Sequence, residues 1–371
     1  MIGVVGAGPA GSYLAYHLAR AGEDVHVFEE HDTIGVPIQC TGILTSKIAE
    51  MIPEGDYVVN RITKMRIRAP AGHETEVRFA KENIIVCRTK FDRFIAKLAA
   101  DAGATYHLDH RFVRHAGHRV ELQHRGLKKT VEADIIVGAD GPGSAVAWSA
   151  GIYGERQFFM GVQATAELDN DNAIEVDLAH GDFAWIVPED KHLVRIGLCT
   201  RSHAHRTFDA FMRSRLGPHY EKRIVARQAG LIPSYDPGAR THAGNVYLLG
   251  DAAGMVKATT AGGILQGMFA AEELAEVILH GGNYERAWRK RIGRDLMLHL
   301  LMRKAMDRFR PKDYDLLVRI FQREENRKVL EEFDRDYPSQ YLLRLLREPR
   351  LALFARVLLQ GSKAGKPFTA G

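Results

Sequence analysis

The chain moves between two hydrophobic periods. Ile2 to Val5 carry no polar residue and run into Gly6, Gly8 and Gly11, after which Tyr13, Leu14, Tyr16 and Leu18 form an apolar stripe. This pattern predicts a buried strand, a glycine-rich turn and a helix. Val25–Phe28 reads as the next strand. Met65–Arg68, Glu74–Phe79 and Asn83–Cys87 alternate apolar and polar residues, as half-buried strands do. The segment CRTKFDRFIAKLAADAG places Phe91, Phe94, Ile95 and Leu98 at helical spacing, and DIIVGADGPGS then predicts a strand ending on another glycine-rich turn. Between Gly161 and Cys199 the stretches GVQATAEL, AIEVDLA, FAWIVPE and LVRIGLC alternate with polar turns, predicting an antiparallel sheet distinct from the parallel one. Val246–Gly250 reads as a strand and Gly263 to His280 as a helix. The remainder looks helical, with Arg/Lys and Leu interleaved and one break at Pro349.

These periods imply an α/β fold: a Rossmann-type nucleotide-binding domain interleaved with an antiparallel-sheet substrate domain, followed by a helical C-terminal region. The expected parts of the nucleotide domain are 1–62, 88–155 and 239–283. Strands at 63–87 lead towards the substrate domain, which takes 156–238, and 284–371 forms the basic helical region.

Composition narrows the function classes. With 371 residues, 46% of them hydrophobic and 26% charged, the chain has the make-up of an ordinary soluble protein of two or three domains. A strand from Ile2 leaves no room for a signal peptide, and no apolar run approaches the ~18 residues of a spanning helix. Cys40, Cys87 and Cys199 form no CxxC, which argues against a disulfide framework, a zinc site or an iron–sulfur cluster. His203 and His205 make a short HxH without nearby carboxylates, so no metal is expected. A cytoplasmic location follows. The net charge of +5 is uneven, because residues 284–371 hold 21 Lys/Arg against 12 Asp/Glu. Such a region suits an anionic partner, whether membrane lipid, nucleic acid or a phosphorylated substrate, and equally suits a solvated helical surface.

The glycine spacing carries the first chemical signal. Gly6, Gly8 and Gly11, with Ala10 in the same turn, allow a tight bend, close approach of backbone to a pyrophosphate, and helix–strand packing. Glu29 ends the second strand, where a carboxylate accepts hydrogen bonds from an adenosine ribose. About 240 residues later NVYLLGDAAG supplies a second nucleotide-type segment. No second GxGxxG exists for a nicotinamide cofactor, so an electron donor would bind transiently, as NAD(P)H or a ferredoxin-like protein.

Several segments carry a family resemblance. GADGPGS (Gly138 to Ser144) resembles the DG motif of para-hydroxybenzoate hydroxylase-type flavoproteins, although Ala147 stands where a basic residue is usual. GDAAG (Gly250 to Gly254) resembles their GD motif, and Arg88 matches an arginine that approaches the cofactor. The resemblance implies FAD held by Gly6, Gly8, Ala10, Gly11, Glu29, Arg88, Asp140, Gly141 and Asp251, with Gly262 and Gly263 bordering the flavin at a helix start. Within that group, HGDFAWIVP is similar to the PxxYxWxFP segment of geranylgeranyl reductases. Trp185 and Pro188 match, Phe183 and Val187 stand for tyrosine and phenylalanine, and His180 departs from the first proline. PIQCTG around Cys40 and VKATTAGGILQGMFAAEELAE add to the similarity, which covers about residues 1 to 280 and is looser beyond.

The resemblance implies reduction of isolated double bonds in prenyl chains of lipids or diphosphates, of the archaeal digeranylgeranylglycerophospholipid type. An alkene without an electron-withdrawing group needs hydride from flavin N5 and nearly simultaneous protonation of the other carbon. Phe183, Trp185 and Val187 would give one apolar wall, since alternate residues share a strand face. Cys40 is the candidate for proton relay or gating, against the alternative of a small buried hydrophobe. Cys87 and Cys199 read as packing residues. YLLRLLREPRLALFARVLL would either pack on the flavin domain or touch an anionic membrane at the inner face of the cell, and no nucleic acid is implied. The competing readings are a flavin monooxygenase or halogenase of the same fold, and a non-catalytic prenyl carrier resembling GDP-dissociation inhibitors.

Overall fold

The computed structural model describes residues 1–332 and 334–345. The amphipathic segment that begins at Tyr341, with its break at residue 349, therefore lies for the most part outside the described residues.

Two large sheets share the chain. The first has six strands in the order His242–Ala243, Val246–Leu248, Ile135–Gly138, Ile2–Val5, Val25–Phe28 and Thr105–His107. All its pairs are parallel except the first. Ile2–Val5 sits inside this sheet and is buried along its whole length, which explains its unbroken apolar run. The helix Pro9–Arg20 leaves it through the glycine turn and packs against Arg88–Asp101 and Ile264–His280. Gly11 makes that seat possible: a Cβ there would stand 2.3 Å from the carbonyl oxygen of Gly6.

The second sheet has eight strands, ordered Ile224–Pro233, Phe158–Glu167, Leu193–Thr200, Phe183–Pro188, Ala173–Asp177, Val58–Arg68, Glu74–Val86 and Ile43–Thr45. Its pairs are antiparallel except Ala173–Asp177 with Val58–Arg68, which is parallel. The four stretches between 161 and 199 thus join the earlier strands in one sheet. Glu74–Val86 is a single strand where the sequence pattern suggested two, because its polar middle faces solvent while both ends are buried. Helix Ala204–Leu216 covers one face, packing Phe208, Phe211 and Met212 on Ala184, Ile186 and Ile196. A third, three-stranded sheet over His110–Ala116, Arg119–His124 and Leu127–Glu132 has no counterpart in the sequence reading. Its strands are rich in His, Arg and Lys and bury few residues, so the apolar alternation that marks a strand is weak there.

After helix Arg294–Met306, helices Pro311–Phe321 and Glu324–Glu332 pack on strand Glu74–Val86 of the second sheet. Thr75 donates to the Phe321 carbonyl at 3.1 Å, and Gln322 donates to that of Glu74 at 2.9 Å. Arg201, held by Asp182, reaches Asp307 at 2.7 Å and so ties the C-terminal helices to the sheet. No helix among the described residues is long and apolar enough to cross a membrane.

Candidate functional site

A cavity of about 980 Å³ runs between the two large sheets, near the top of the roughly 300–1,000 Å³ usual for ligand sites. Its nucleotide side begins at the glycine turn. Gly6 has φ +102°, and a Cβ there would stand 2.4 Å from the Ala139 carbonyl oxygen. Gly8 has open space where its Cβ would project, so a phosphate could approach the start of helix Pro9–Arg20. Ala10 lines the same wall, whereas Gly11 is buried behind it. At the next strand end Glu29 accepts from the Ala7 N–H at 2.8 Å and from His31 Nδ1 at 2.6 Å.

The middle of the cavity gathers Asp140, Gly141, Asp251, Gly262 and Gly263. Asp140 accepts from Ser144 Oγ at 2.6 Å and the Val146 N–H at 3.1 Å, so it is committed to the turn that starts helix Ala145–Ser149. Asp251 differs: no hydrogen bond or ion pair reaches its carboxylate among the described residues. Burial pushes its carboxyl up, against the pull of Arg88 and Arg156. A carboxylate in such a place is matched by a hydroxyl donor, as a ribityl chain provides. Gly263 must lack a side chain, because its Cβ would lie 2.8 Å from Asp251 Oδ1. It caps helix Ile264–His280, whose N-terminus faces this part of the cavity.

Across from it lies Cys40. Its Sγ accepts from the Gly42 N–H at 3.3 Å. The thiol also faces the guanidinium of Arg88, which Asp92 grips through two hydrogen bonds of 3.0 and 2.9 Å. Burial would lower the Arg88 pKa, but Asp92 and Cys40 together hold it raised. The loop is pinned from the second sheet: Arg195 donates to the Thr41 carbonyl at 2.6 Å, and Gln228 to that of Cys40 at 3.1 Å. Phe183 and Trp185 line the cavity on this side. Val187 does not. It shares their strand face but is fully buried with Ile62, Ile85 and Ile174, which come from other strands of the same sheet. Beyond Phe183 the walls are apolar: Met65, Ile67, Val176, Met306, Leu317 and Phe321.

The FAD binding domain family matches residues 1–281 of the chain. The digeranylgeranylglycerophospholipid reductase of Methanothrix thermoacetophila is 30% identical over 360 residues, covering 88% of this chain and 92% of that protein. The chain belongs to the digeranylgeranylglycerophospholipid reductase-like family of FAD flavoproteins. A second such reductase, from Methanothermobacter thermautotrophicus, is 28% identical over 93% of this chain and 98% of its own length. A geranylgeranyl bacteriochlorophyll reductase-like protein of Thermoplasma acidophilum superposes with a TM-score of 0.82 at 21% identity, covering 96% of this chain and 98% of that one. The flavin-dependent brominase Bmp2 shares the fold at a TM-score of 0.67 and 17% identity, with 94% and 99% covered. As a member of this reductase-like family the chain is an FAD-dependent oxidoreductase, and the open cradle at Gly8 and the unpartnered Asp251 fit that cofactor.

Sequence reasoning passed over three features of the family member's site. Gln163 is buried, and its Oε1 accepts from both Trp185 Nε1 at 2.8 Å and Thr41 Oγ1 at 2.6 Å. Lys257 and Asp336 form a buried ion pair inside the cavity wall, and Thr45 donates to Asp336 at 2.9 Å. Burial would raise the Asp336 pKa, yet Lys257 holds it lowered. The apolar walls from 306 to 321 come from the C-terminal helices. A lysine inside an apolar segment, Met255 to Ala258, was the one available signal for the ion pair.

Proposed function

We propose that this flavoprotein saturates isolated double bonds of geranylgeranyl chains, in archaeal-type glycerophospholipid precursors or prenyl diphosphates. The reading rests above all on one observation: the flavin-facing segments and the apolar walls line a single cavity. The names of the related archaeal reductases point to the same substrate class.

Reduced FAD supplies hydride, with electrons from a transient donor such as NAD(P)H or a ferredoxin-like protein. Gly6, Gly8, Ala10 and Glu29 hold the adenosine and pyrophosphate, and Asp251 the ribityl chain. Trp185, fixed through Gln163, sets the depth at which the prenyl chain lies. Cys40 stands beside Arg88 to protonate the alkene carbon that does not receive hydride. The apolar lining excludes water, which suits a step with no tolerance for competing proton acceptors. A lipid substrate places the enzyme at the inner face of the cell membrane, with the basic C-terminal region towards anionic headgroups.

The test is anaerobic. Protein reduced with dithionite, freed of excess reductant and mixed with digeranylgeranylglycerophospholipid vesicles should recover the oxidised flavin spectrum. A spectrum that stays reduced with this lipid and with geranylgeranyl diphosphate rejects the reading.

A further inference from the structure

Behind the flavin-side wall lies a second, separate void of about 10 Å³, lined by Lys257, Gln266, Asp295, His299 and Asp336 among others. That is room for one water. Two polar atoms beside it have no partner among the described residues: His299 Nε2 and Gln266 Oε1. Their residues are 1% and 4% exposed. Buried polar atoms are almost always hydrogen-bonded to protein or to ordered water, so two unsatisfied ones around one void describe a hydration site. On its other side His299 meets Thr259, with Nδ1 2.6 Å from Oγ1. Thr259 lines the main cavity three residues before Gly262. Asp295 also lines the void, is half-buried and so partly in contact with solvent, and accepts from the Ser339 N–H at 2.8 Å.

We infer that a single buried water, His299 and Thr259 form a relay that carries a proton from solvent at Asp295 to the cofactor side of the main cavity. The bonding directions are consistent. The water donates to Gln266 Oε1 and His299 Nε2, neutral His299 donates from Nδ1 to Thr259, and the Thr259 hydroxyl donates into the cavity. Burial, reinforced by Lys257, lowers the His299 pKa to about 3, which keeps the ring neutral as this polarity requires. Reduction of FAD takes up two electrons from the donor and one proton. Thr259 O–H gives that proton to the cofactor ring and receives the one on His299 Nδ1. His299 Nε2 takes a proton from the water, which regains one from solvent on the Asp295 side. Lys257 and Asp336, also facing the void, neutralise one another. The relay requires only bound FAD, so it stands apart from the choice of substrate.

The experiment follows flavin reduction by dithionite in the holoprotein, in water and in deuterium oxide, without any lipid. Thr259→Val keeps shape and removes the hydroxyl. It should slow reduction tenfold or more and change the solvent isotope effect, with FAD content unchanged, and Thr259→Ser should restore both. His299→Leu should match Thr259→Val. Equal rates and isotope effects in wild type and Thr259→Val overturn the relay. Should His299→Leu fail to fold, nitrogen-15 NMR of His299 in the oxidised holoprotein decides the same point: a neutral ring protonated at Nδ1 supports the relay, and one protonated at Nε2 overturns it. A high-resolution crystal structure with no water between His299 Nε2 and Gln266 Oε1 overturns it as well.

Discussion

Trp185 donates its indole N–H to Gln163 Oε1 at 2.8 Å, across Gly197 of the strand between them, which makes the position of the largest cavity-lining ring depend on a residue two strands away. Because Thr41 donates to the same oxygen, the cavity wall that carries Trp185 and the Cys40 loop are registered through one buried atom. Gln163→Leu should therefore leave two donors without an acceptor and cost about 1–3 kcal/mol for each that stays buried. FAD content should hold, while the melting temperature falls and KM for a prenyl lipid rises more than kcat drops. Thermal unfolding and steady-state kinetics check both parts.

Asp251→Ala should weaken FAD binding by about tenfold to a hundredfold, the worth of a hydrogen bond to a charged group. The ratio of flavin to protein absorbance after desalting measures it. Full retention would remove Asp251 from the ligand set.

Cys40→Ala should keep its flavin, since the Sγ touches the Gly42 N–H and the Arg88 side of the cavity without holding the glycine turns. Turnover should fall about a hundredfold if the thiol is the proton donor, within the usual reach of general-acid catalysis. Unchanged rates and products would return it to packing.

The Lys257–Asp336 pair should punish half-removal. Lys257→Met strands a buried carboxylate and should cost about 3–5 kcal/mol, whereas the double variant Lys257→Met with Asp336→Leu should recover much of that. Denaturant titration of the three proteins gives the cycle. It also tests how residues 334–345 are held to the cavity, whose wall Arg335 and Asp336 both line.

His299 gives a pH signature. Its folded pKa is depressed to about 3, well below the unfolded value of about 6.5. Between those values the unfolded chain binds the extra proton, so the contribution is complete above pH 6.5 and is lost as pH falls towards 3. The slope reaches at most about 1.4 kcal/mol per pH unit. Stability against pH for wild type and His299→Asn should diverge across that window and run parallel above it.

The parts legible in the sequence are those whose physics is local. Gly6, Gly8 and Gly11 sit between a strand and a helix that each announce themselves by period, so cofactor and fold could be read together. Trp185 and Phe183 were reachable through strand alternation, which also misled at Val187. Position on a face does not say which side chains of that face turn to a cavity and which pack among neighbours from the same sheet. Lys257 and Asp336 are 79 residues apart, and Met65, Val176 and Leu317 meet only in three dimensions. As apolar residues they look like any core. His299 lies in a helix of mixed composition and gave no signal until the fold set its Nδ1 against Thr259 and left its Nε2 without a partner.

The most direct measurement is mass spectrometry of digeranylgeranylglycerophospholipid after anaerobic incubation with the reduced holoprotein. The account predicts stepwise gain of two hydrogens per double bond, matched by flavin reoxidation. An unchanged lipid mass, with rapid reoxidation only once air and an aromatic substrate are admitted, would contradict it and favour a monooxygenase.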